Sequence, residues 1–255
     1  MMSHQRTIYI LSGGHSRRMG TDKALLSFGE QSLLEYQIER CQPFFYEVLL
    51  LSGQRNYPVP VRHVHDVRPD AGPLCGLLSA LRDAIDMGEP GRGGGSTADV
   101  PENLPVESRN PSEEPSVAIM AVDLPMVSTG VLRMMATTVM PEGVDAFIAD
   151  AAPVPGSSAQ TAGGRAGSDP SHHDTAPMNP DILQQLNWMT RQPLLGIYRC
   201  SVIPELEEYL NRGDGSVMGF LDRVRVKAFP VKPDEIRNIN TREEYEEIHN
   251  RISTE

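Results

Sequence analysis

The chain has 255 residues, of which 39% are hydrophobic, and a formal net charge of −11. This length suits one large domain or two small ones, and the low hydrophobic share indicates that part of the chain stays outside any core. The acidic balance argues against general nucleic-acid binding, which needs a basic surface. The absence of an apolar run of about 18 residues argues against a transmembrane helix.

The N-terminal sequence and the cysteines both bear on localisation. The first residues lack the long apolar region and the small-residue cleavage site of a signal peptide. Cys41, Cys75 and Cys200 are far apart and have no metal-binding spacing, so we expect buried free thiols in a reducing compartment. These features predict a cytoplasmic protein that does not bind membranes.

In the first half of the chain, short apolar runs alternate with helical patterns. Helical spacing of apolar residues predicts one helix over 32–44, and the repeat of leucines at three and four predicts another over 73–87. Short apolar or alternating runs predict strands at 7–12, 47–52 and 61–65.

The second half continues the alternation, and no internal repeat is visible. Further strands are predicted at 117–122, 145–150, 193–199 and 225–230, and further helices at 128–140, 203–213 and 241–252. Buried strands that alternate with helices indicate an α/β fold in which helices cover both faces of a mostly parallel sheet. We expect a single domain over residues 1–255.

Two stretches have a composition unlike that of a packed domain. Residues 88–116 are rich in Gly, Pro, Ser and Glu, and residues 151–180 are richer still in small residues and proline. Neither offers enough apolar surface to offset the entropy of ordering the chain, so both are predicted to be flexible surface insertions.

The first predicted strand runs into the loop LSGGHSRRMGTDKALL, where positive charge is concentrated. Gly13 and Gly14 allow a tight turn that brings backbone N–H groups close to a phosphate. Arg17, Arg18 and Lys23 add three positive charges within seven residues, and these side chains suit phosphate contacts. The loop therefore predicts a phosphate-binding site.

Two common nucleotide motifs do not fit this loop. The dinucleotide-binding pattern GxGxxG fails because His15 stands at its second glycine. The P-loop pattern GxxxxGK[ST] fails because no glycine precedes Lys23 and because Ala24 follows it. These mismatches exclude a Rossmann dehydrogenase loop and a P-loop.

The pattern LxGGxSxRMGxDKAxL in this loop resembles the signature of the molybdenum cofactor guanylyltransferases, which are nucleotidyltransferases of the GTA type. Three later segments agree in order and spacing. They are DVRPDAGPLCGLLSAL (66–81) with Gly-Pro-Leu-x-Gly, AVDLPMV (121–127) with Asp-x-Pro, and RNINTREEY (237–245) with Asn-x-Asn-Thr. The resemblance implies a three-layer, Rossmann-like nucleotidyltransferase fold.

The resemblance also implies roles for individual residues. Arg17, Lys23 and Asp123 are expected to be catalytic, with Asp123 holding Mg²⁺, and Asn238 and Asn240 are expected to contact the acceptor. The nucleotide is expected to contact Leu11, Ser12, Gly13, Gly14, Arg18, Lys23, Ser52, Asp66, Gly72, Pro73, Gly76 and Asp123.

Structural roles are the alternatives at these positions. Asp123 would cap the next helix, although Ser128 is the better-placed cap, and Asp22 would cap its own segment or hold Lys23. Solvated surface charge is the alternative for the two arginines. Turn or cap roles are the alternatives for Asp66, Gly72, Pro73, Gly76, Asn238 and Asn240, the last two with Thr241.

By resemblance, the protein transfers GMP from GTP to the phosphate of molybdopterin or molybdenum cofactor and releases pyrophosphate. Two other enzyme functions stay open, a cytidylyltransferase acting on the same acceptor and a sugar-phosphate nucleotidyltransferase. A nucleotide-binding regulator without turnover is the non-enzymatic alternative. The implied cofactor is Mg²⁺, the implied ligands are GTP and molybdopterin, and contacts with cofactor-synthesis or acceptor proteins are expected to be transient.

Overall fold

The computed structural model describes residues 6–12, 22–68, 72–87, 114–151 and 190–252. The strands are β1 (Ile8–Leu11), β2 (Ser27–Phe28), β3 (Gln31–Ser32), β4 (Val48–Gly53), β5 (His63–His65), β6 (Ser116–Ala121), β7 (Ala146–Asp150), β8 (Arg191–Arg199) and β9 (Val226–Pro230). The helices are α1 (Leu33–Cys41), α2 (Pro73–Asp86), α3 (Thr129–Thr137), α4 (Ile203–Asn211), α5 (Val217–Leu221) and α6 (Arg242–Ile252).

The main sheet has the strand order β5-β4-β1-β6-β8-β7-β9. Strand β8 runs antiparallel to both of its neighbours, and the other pairs are parallel. The mostly parallel mixed sheet expected from the sequence is therefore confirmed. Because β4, β1 and β6 are adjacent and parallel, their carboxyl ends meet at one edge of the sheet.

Alternating side chains of the strands divide the core into two layers. In β1, Ile8 and Ile10 pack on the face covered by α1, α3 and α6, whereas Tyr9 and Leu11 pack on the face covered by α2, α4 and α5. This alternation follows from the two-residue period of a strand. With helices on both faces, the predicted three-layer α/β fold is confirmed.

Local sequence signals set where the helices begin. Ser32 and Glu35 form a capping box at the start of α1, which satisfies N–H groups that the helix leaves unpaired. Gly72 has a φ of +84° just before α2, a conformation that favours glycine. Pro73 follows as the first helical residue, where a missing N–H costs nothing.

Some elements differ from the sequence-based expectation. The hairpin β2–β3 and the short helix α5 were not predicted, because segments of two to five residues are too short for a periodic pattern. The predicted insertion 88–116 was wrong at its end, since Ser116 begins β6 and pairs with Arg199 of β8. The rest of that stretch up to residue 113, and residues 152–180 of the second, lie outside the described residues.

The three cysteines are buried and free, as expected from their spacing. In the parts of the chain that the structure describes, no helix combines the length and the apolar character needed to cross a membrane.

Candidate active site

The candidate site lies at the edge of the sheet where β1, β4 and β6 end. Ser12 follows β1, Ser52 is the penultimate residue of β4, and Asp123 comes two residues after β6. Ligands of open α/β sheets bind beyond the carboxyl ends of the strands, so three of the predicted positions stand where that rule places a site.

An ion pair joins the loop after β1 (residues 11–26, the glycine-loop segment) to the end of β6. Lys23 begins a short 3₁₀ turn, Lys23–Leu25, and its Nζ lies 2.8 Å from Oδ2 of Asp123. The two side chains are only 18% and 16% exposed, so this pair is better shielded from solvent than an ordinary surface pair. Two residues predicted to be catalytic are thus in direct contact.

The C-terminal segment completes this cluster. Lys23 Nζ also donates to Oδ1 of Asn240 at 2.9 Å. The backbone supports the arrangement, because the N–H of Ile239 donates to the carbonyl of Asp123 at 3.0 Å. Asp123 and Asn240, which are 100 and 217 positions from Lys23 along the chain, therefore both contact its ammonium group.

Asn240 itself is held by the start of α6. The Glu244 carboxylate accepts from the N–H groups of Asn240 at 2.7 Å and of Thr241 at 2.9 Å. The Thr241 hydroxyl in turn accepts from the N–H of Glu244, which completes a capping box. The cap with Thr241, given above as the alternative to an acceptor role, is thus present, and it leaves the amide side chain of Asn240 to contact Lys23.

The cap suggested as an alternative role of Asp123 is wrong. Helix α3 is capped by Ser128, whose Oγ accepts from the N–H of Val131 at 3.3 Å. The cap suggested for Asp22 is confirmed, because its Oδ1 accepts from the N–H of Ala24 at 3.1 Å.

Asn238 contacts a different part of the sheet edge. Its Oδ1 accepts from Nε2 of Gln192 in β8 at 2.9 Å. The two asparagines predicted for the acceptor therefore have different neighbours, with Asn240 at Lys23 and Asn238 at β8.

The start of α2 packs closely against the ends of β1 and β5. A Cβ at Gly76 would lie 3.5 Å from Cδ2 of Leu11 and 3.8 Å from Oδ1 of Asp66. The N–H of Asp66 donates to the carbonyl of Gly53 at 3.3 Å. Leu11, Asp66 and Gly76 are thus close together, and Gly72 and Pro73 have the turn and helix-start roles given above as alternatives. The nucleotide contacts of these five residues stay a prediction.

The serines at this edge are buried rather than open. The Oγ of Ser12 donates to the carbonyl of Leu51 at 3.1 Å. The Ser52 side chain is fully buried, and its Oγ lies 3.5 Å from Nδ1 of His65. Gly13, Gly14, Arg17 and Arg18 lie outside the described residues.

Two residues that the sequence patterns did not indicate, Arg55 and Tyr57, hold Asp22. Oδ2 of Asp22 accepts from Arg55 Nη1 at 2.5 Å and from the Tyr57 hydroxyl at 2.8 Å. Burial, followed by the hydrogen bond to Asp22, raises the pKa of Tyr57 above its usual value, so the hydroxyl keeps its proton and donates. No motif marks this pair, although both residues follow the end of β4.

The oxygen atoms around Lys23 fit a hard cation. Asp123 Oδ2 and Asn240 Oδ1 converge on one positive charge, that of the ammonium. Carboxylate and amide oxygens are also the protein ligands that Mg²⁺ accepts, and Mg²⁺ usually takes most of its ligands from water and phosphate. Such an ion does not need a large cage, and within the described ranges no group of three or more His, Cys, Asp or Glu side chains forms one.

Solved structures of related fold include a molybdopterin-guanine dinucleotide biosynthesis protein A from Archaeoglobus fulgidus. It is 20% identical, with a TM-score of 0.62 over 98% of this chain and 100% of that chain. A 2-C-methyl-D-erythritol 4-phosphate cytidylyltransferase from Thermus thermophilus is 12% identical, with a TM-score of 0.56 over 96% and 98% of the two chains. The nucleotidyltransferase fold is therefore shared by proteins named for different nucleotides.

Sequence comparison gives the family. A probable molybdenum cofactor guanylyltransferase from Carboxydothermus hydrogenoformans is 25% identical over 253 residues, which cover 95% of this chain and 94% of the relative. A protein of the same name from Flavobacterium johnsoniae is 21% identical over 97% and 98% of the two chains. The sequence model of the MobA-like NTP transferase domain matches residues 8–227. The chain belongs to the family of MobA-like NTP transferase domains.

Proposed function

We propose that this protein is a molybdenum cofactor guanylyltransferase, which transfers GMP from GTP to the terminal phosphate of molybdopterin. The observation that carries the proposal is the convergence of Asp123 and Asn240 on the ammonium of Lys23 at the sheet edge. These residues come from three of the four segments that resemble the family, and full-length relatives carry the same functional name.

The chemistry requires positioning and charge rather than a nucleophilic side chain. The phosphate oxygen of molybdopterin attacks the α-phosphorus of GTP, and the bond to the leaving pyrophosphate breaks as the new P–O bond forms. A phosphomonoester has its second pKa at about 6 and is already ionised at neutral pH, so no general base is needed. Charge on the leaving group must be neutralised, as in other phosphoryl transfers.

Lys23 supplies part of that charge. Its ammonium is held by two oxygens at the sheet edge, and it exchanges Asp123 for a phosphate oxygen when the triphosphate binds. Lysine suits this exchange, because it interacts as a point charge on a flexible stem. By family resemblance, Arg17 and Arg18 add charge from the same loop.

Asp123 is the residue proposed to hold Mg²⁺, with the amide oxygen of Asn240 beside it. When bound, the ion neutralises charge on phosphate oxygens. The carboxylate of Asp123 is freed for this role as Lys23 turns to the nucleotide.

The base and the acceptor are the finer part of the proposal. Proteins described as cytidylyltransferases share the fold, so the fold alone does not select guanine. Guanine is favoured by the functional name shared by the curated relatives. A cytidylyltransferase acting on the same acceptor is the second candidate.

Pyrophosphate release tests the proposal. We expect release when the protein is mixed with GTP, Mg²⁺ and molybdopterin, and much less release with CTP, ATP or UTP. Preference for CTP would support the second candidate. Nucleotide binding without pyrophosphate release, in the presence of each acceptor tried, would instead identify a regulator.

A further inference from the structure

Asp22, which directly precedes Lys23, uses both of its carboxylate oxygens. Oδ1 accepts from the backbone N–H of Ala24 at 3.1 Å. Oδ2 accepts from the Tyr57 hydroxyl at 2.8 Å and from Arg55 Nη1 at 2.5 Å. These hydrogen bonds fix the start of the 3₁₀ turn on which Lys23 stands.

Tyr57 lies between the two ends of the glycine-loop segment. Its side chain is 6% exposed and packs in the core layer on the α1 face. Its hydroxyl oxygen also lies 3.5 Å from the carbonyl of Ser12, which follows β1. One rigid aromatic side chain therefore spaces Asp22 from the end of the strand, and through Asp22 it sets where Lys23 begins.

Arg55 neutralises the negative charge of Asp22. A carboxylate next to Lys23 would repel a triphosphate and would compete for the ammonium. The guanidinium of Arg55, 46% exposed, neutralises that carboxylate from the solvent side. The ammonium group of Lys23 therefore stays available for Asp123 and for the nucleotide.

We propose that Tyr57 and Arg55 are positioning residues for nucleotide binding, which act on Lys23 through Asp22. Tyr57 fixes the distance of the Asp22 carboxylate from the end of β1, and Arg55 cancels its charge. Neither residue touches the reacting atoms in this arrangement. The inference rests on the proposed function, because it assumes that Lys23 binds the triphosphate.

The chain contains a matched control on the other face of the sheet. The Tyr9 hydroxyl donates to Asp83 at 2.8 Å, and Arg62 donates to the same carboxylate at 2.7 and 2.8 Å. Tyr9 packs in the core layer on the α2 face, and Asp83 lies in the last turn of α2, far from its site end. This second Tyr–Asp–Arg group has the same chemistry without Lys23 beside it.

Nucleotide affinity, measured by calorimetry with GTP alone, and steady-state kinetics test the proposal. Tyr57→Phe and Arg55→Ala are each expected to weaken GTP binding and raise KM about two- to tenfold, with kcat changed less than twofold. The controls Tyr9→Phe and Arg62→Ala should lower the melting temperature at least as much as Tyr57→Phe and Arg55→Ala do. They should leave GTP affinity and KM unchanged.

A double variant separates charge from packing. Asp22→Asn keeps the cap, since Asn caps about as well as Asp, and it removes the charge that Arg55 neutralises. In the Arg55→Ala background, Asp22→Asn is therefore expected to restore GTP affinity to within about twofold of the parent, the non-additivity that a direct interaction produces.

Two results would overturn the inference. One is GTP affinity in Tyr57→Phe and Arg55→Ala equal to that of the parent. The other is an equal loss of affinity in the Tyr9→Phe and Arg62→Ala controls, which would make the effect one of general stability. Failure of the proposed function is distinct, because then the parent itself would release no pyrophosphate from GTP.

Discussion

Lys23 and Asp123 largely cancel each other's charge, and so do Arg55 and Asp22. Two opposite-charge pairs thus stand side by side at the sheet edge of a chain whose net charge is −11. Local neutrality matters more than the overall sum for a bound anion. At these two pairs a triphosphate therefore meets no excess negative charge, and Lys23 can exchange Asp123 for a phosphate oxygen.

Replacing Lys23 with alanine tests this exchange. A charge-assisted hydrogen bond to phosphate is worth about 1.5–3 kcal/mol, so Lys23→Ala should weaken GTP binding about ten- to a hundredfold. Turnover should fall as well, because the leaving group loses its counter-charge. Calorimetry with GTP and a pyrophosphate-release assay measure the two effects.

Lys227→Ala is the control, since Lys227 is an exposed lysine on the edge strand β9. It should bind and turn over GTP like the parent. Unchanged GTP affinity in Lys23→Ala would contradict the phosphate role of Lys23.

Asp123→Asn removes a negative charge and keeps a side-chain oxygen that can accept from Lys23. If Asp123 is a magnesium ligand, a neutral amide in its place should lower the affinity of the site for Mg²⁺. We expect turnover to collapse and the Mg²⁺ concentration for half-maximal rate to rise. The melting temperature should change little, because the amide oxygen of asparagine still accepts a hydrogen bond from Lys23 and keeps the shape of the side chain.

Asp234→Asn is the control, since it removes the charge of a more exposed ion pair, with Arg251 at 2.9 Å, and it should leave the Mg²⁺ dependence of the rate unchanged. Parent-like turnover of Asp123→Asn at low Mg²⁺ would refute the metal assignment.

The sequence could predict Lys23 and Asp123 because each lies in a motif with recognisable neighbours. It could not predict Arg55 and Tyr57, because no local pattern surrounds them. Their partner, Asp22, is 33 and 35 residues away along the chain. Such contacts form only when β1 and β4 are paired. No single segment of the sequence predicts which strands pair.

Strands and helices with strong periodicity, such as β4 and α2, could be predicted nearly to the residue. The direction of β8 could not, because the same apolar run suits a parallel or an antiparallel strand. Its reversal matters for the site: it brings Gln192, near the amino end of β8, to the edge where β6 ends, and there Gln192 meets Asn238.

The edge strand β9 is fixed to β7 at their starts by Asp145 and Arg225. Asp145 accepts from the Arg225 guanidinium at 2.7 and 2.9 Å and from its backbone N–H at 2.8 Å. The side-chain hydrogen bonds from Arg225 hold the pKa of Asp145 below its ordinary value. A carboxyl with a lowered pKa in the folded state stabilises the fold above its unfolded pKa, and this stabilisation is lost as the pH falls.

Asp145→Asn should therefore lower the melting temperature at pH 7, and the difference from the parent should shrink as the pH drops below about 4. Melting curves at several pH values measure this. Glu246→Gln, which removes the charge of an exposed pair with Arg242 within α6, is the control and should have little effect at any pH. A difference for Asp145→Asn that stays constant down to pH 2 would show that packing, not charge, causes it.

The site brings together segments from the first and last parts of the sequence. Lys23 and Asn240 are 217 residues apart, and α6 also holds the β2–β3 hairpin, where the Tyr245 hydroxyl donates to the carbonyl of Ser27. The His249 ring accepts from the N–H of Gly29 at 3.2 Å. Correct placement of Lys23 therefore depends on docking of the C-terminal helix.

The segment between α2 and β6 has a composition unsuited to a core, and this predicts that much of it is dispensable. Removing residues 92–112 leaves seven residues, 88–91 and 113–115, to connect Met87 to Ser116. Seven residues span up to about 23 Å. The last part of α2 lies near the start of β6, because Cys200 contacts the carbonyl of Leu81 through its Sγ and the carbonyl of Pro115 through its N–H. This connection is therefore long enough. It also keeps Glu114, which accepts from Arg199 and from the N–H of Ser201.

We expect the deletion variant to melt within about 5 °C of the parent, because the free energy of closing a loop changes only slowly with its length. GTP affinity should also be unchanged, since the connection leaves the sheet at the end opposite the site. A variant with residues 92–112 scrambled at constant length is the control, and it should match the parent in both measurements. A fall of more than about 10 °C, or loss of cooperative melting, in the deletion variant but not in the scrambled one would mean that the full length of the connection is needed. The same loss in both variants would mean that the sequence of this stretch packs against the domain, and the prediction of an insertion would then be wrong.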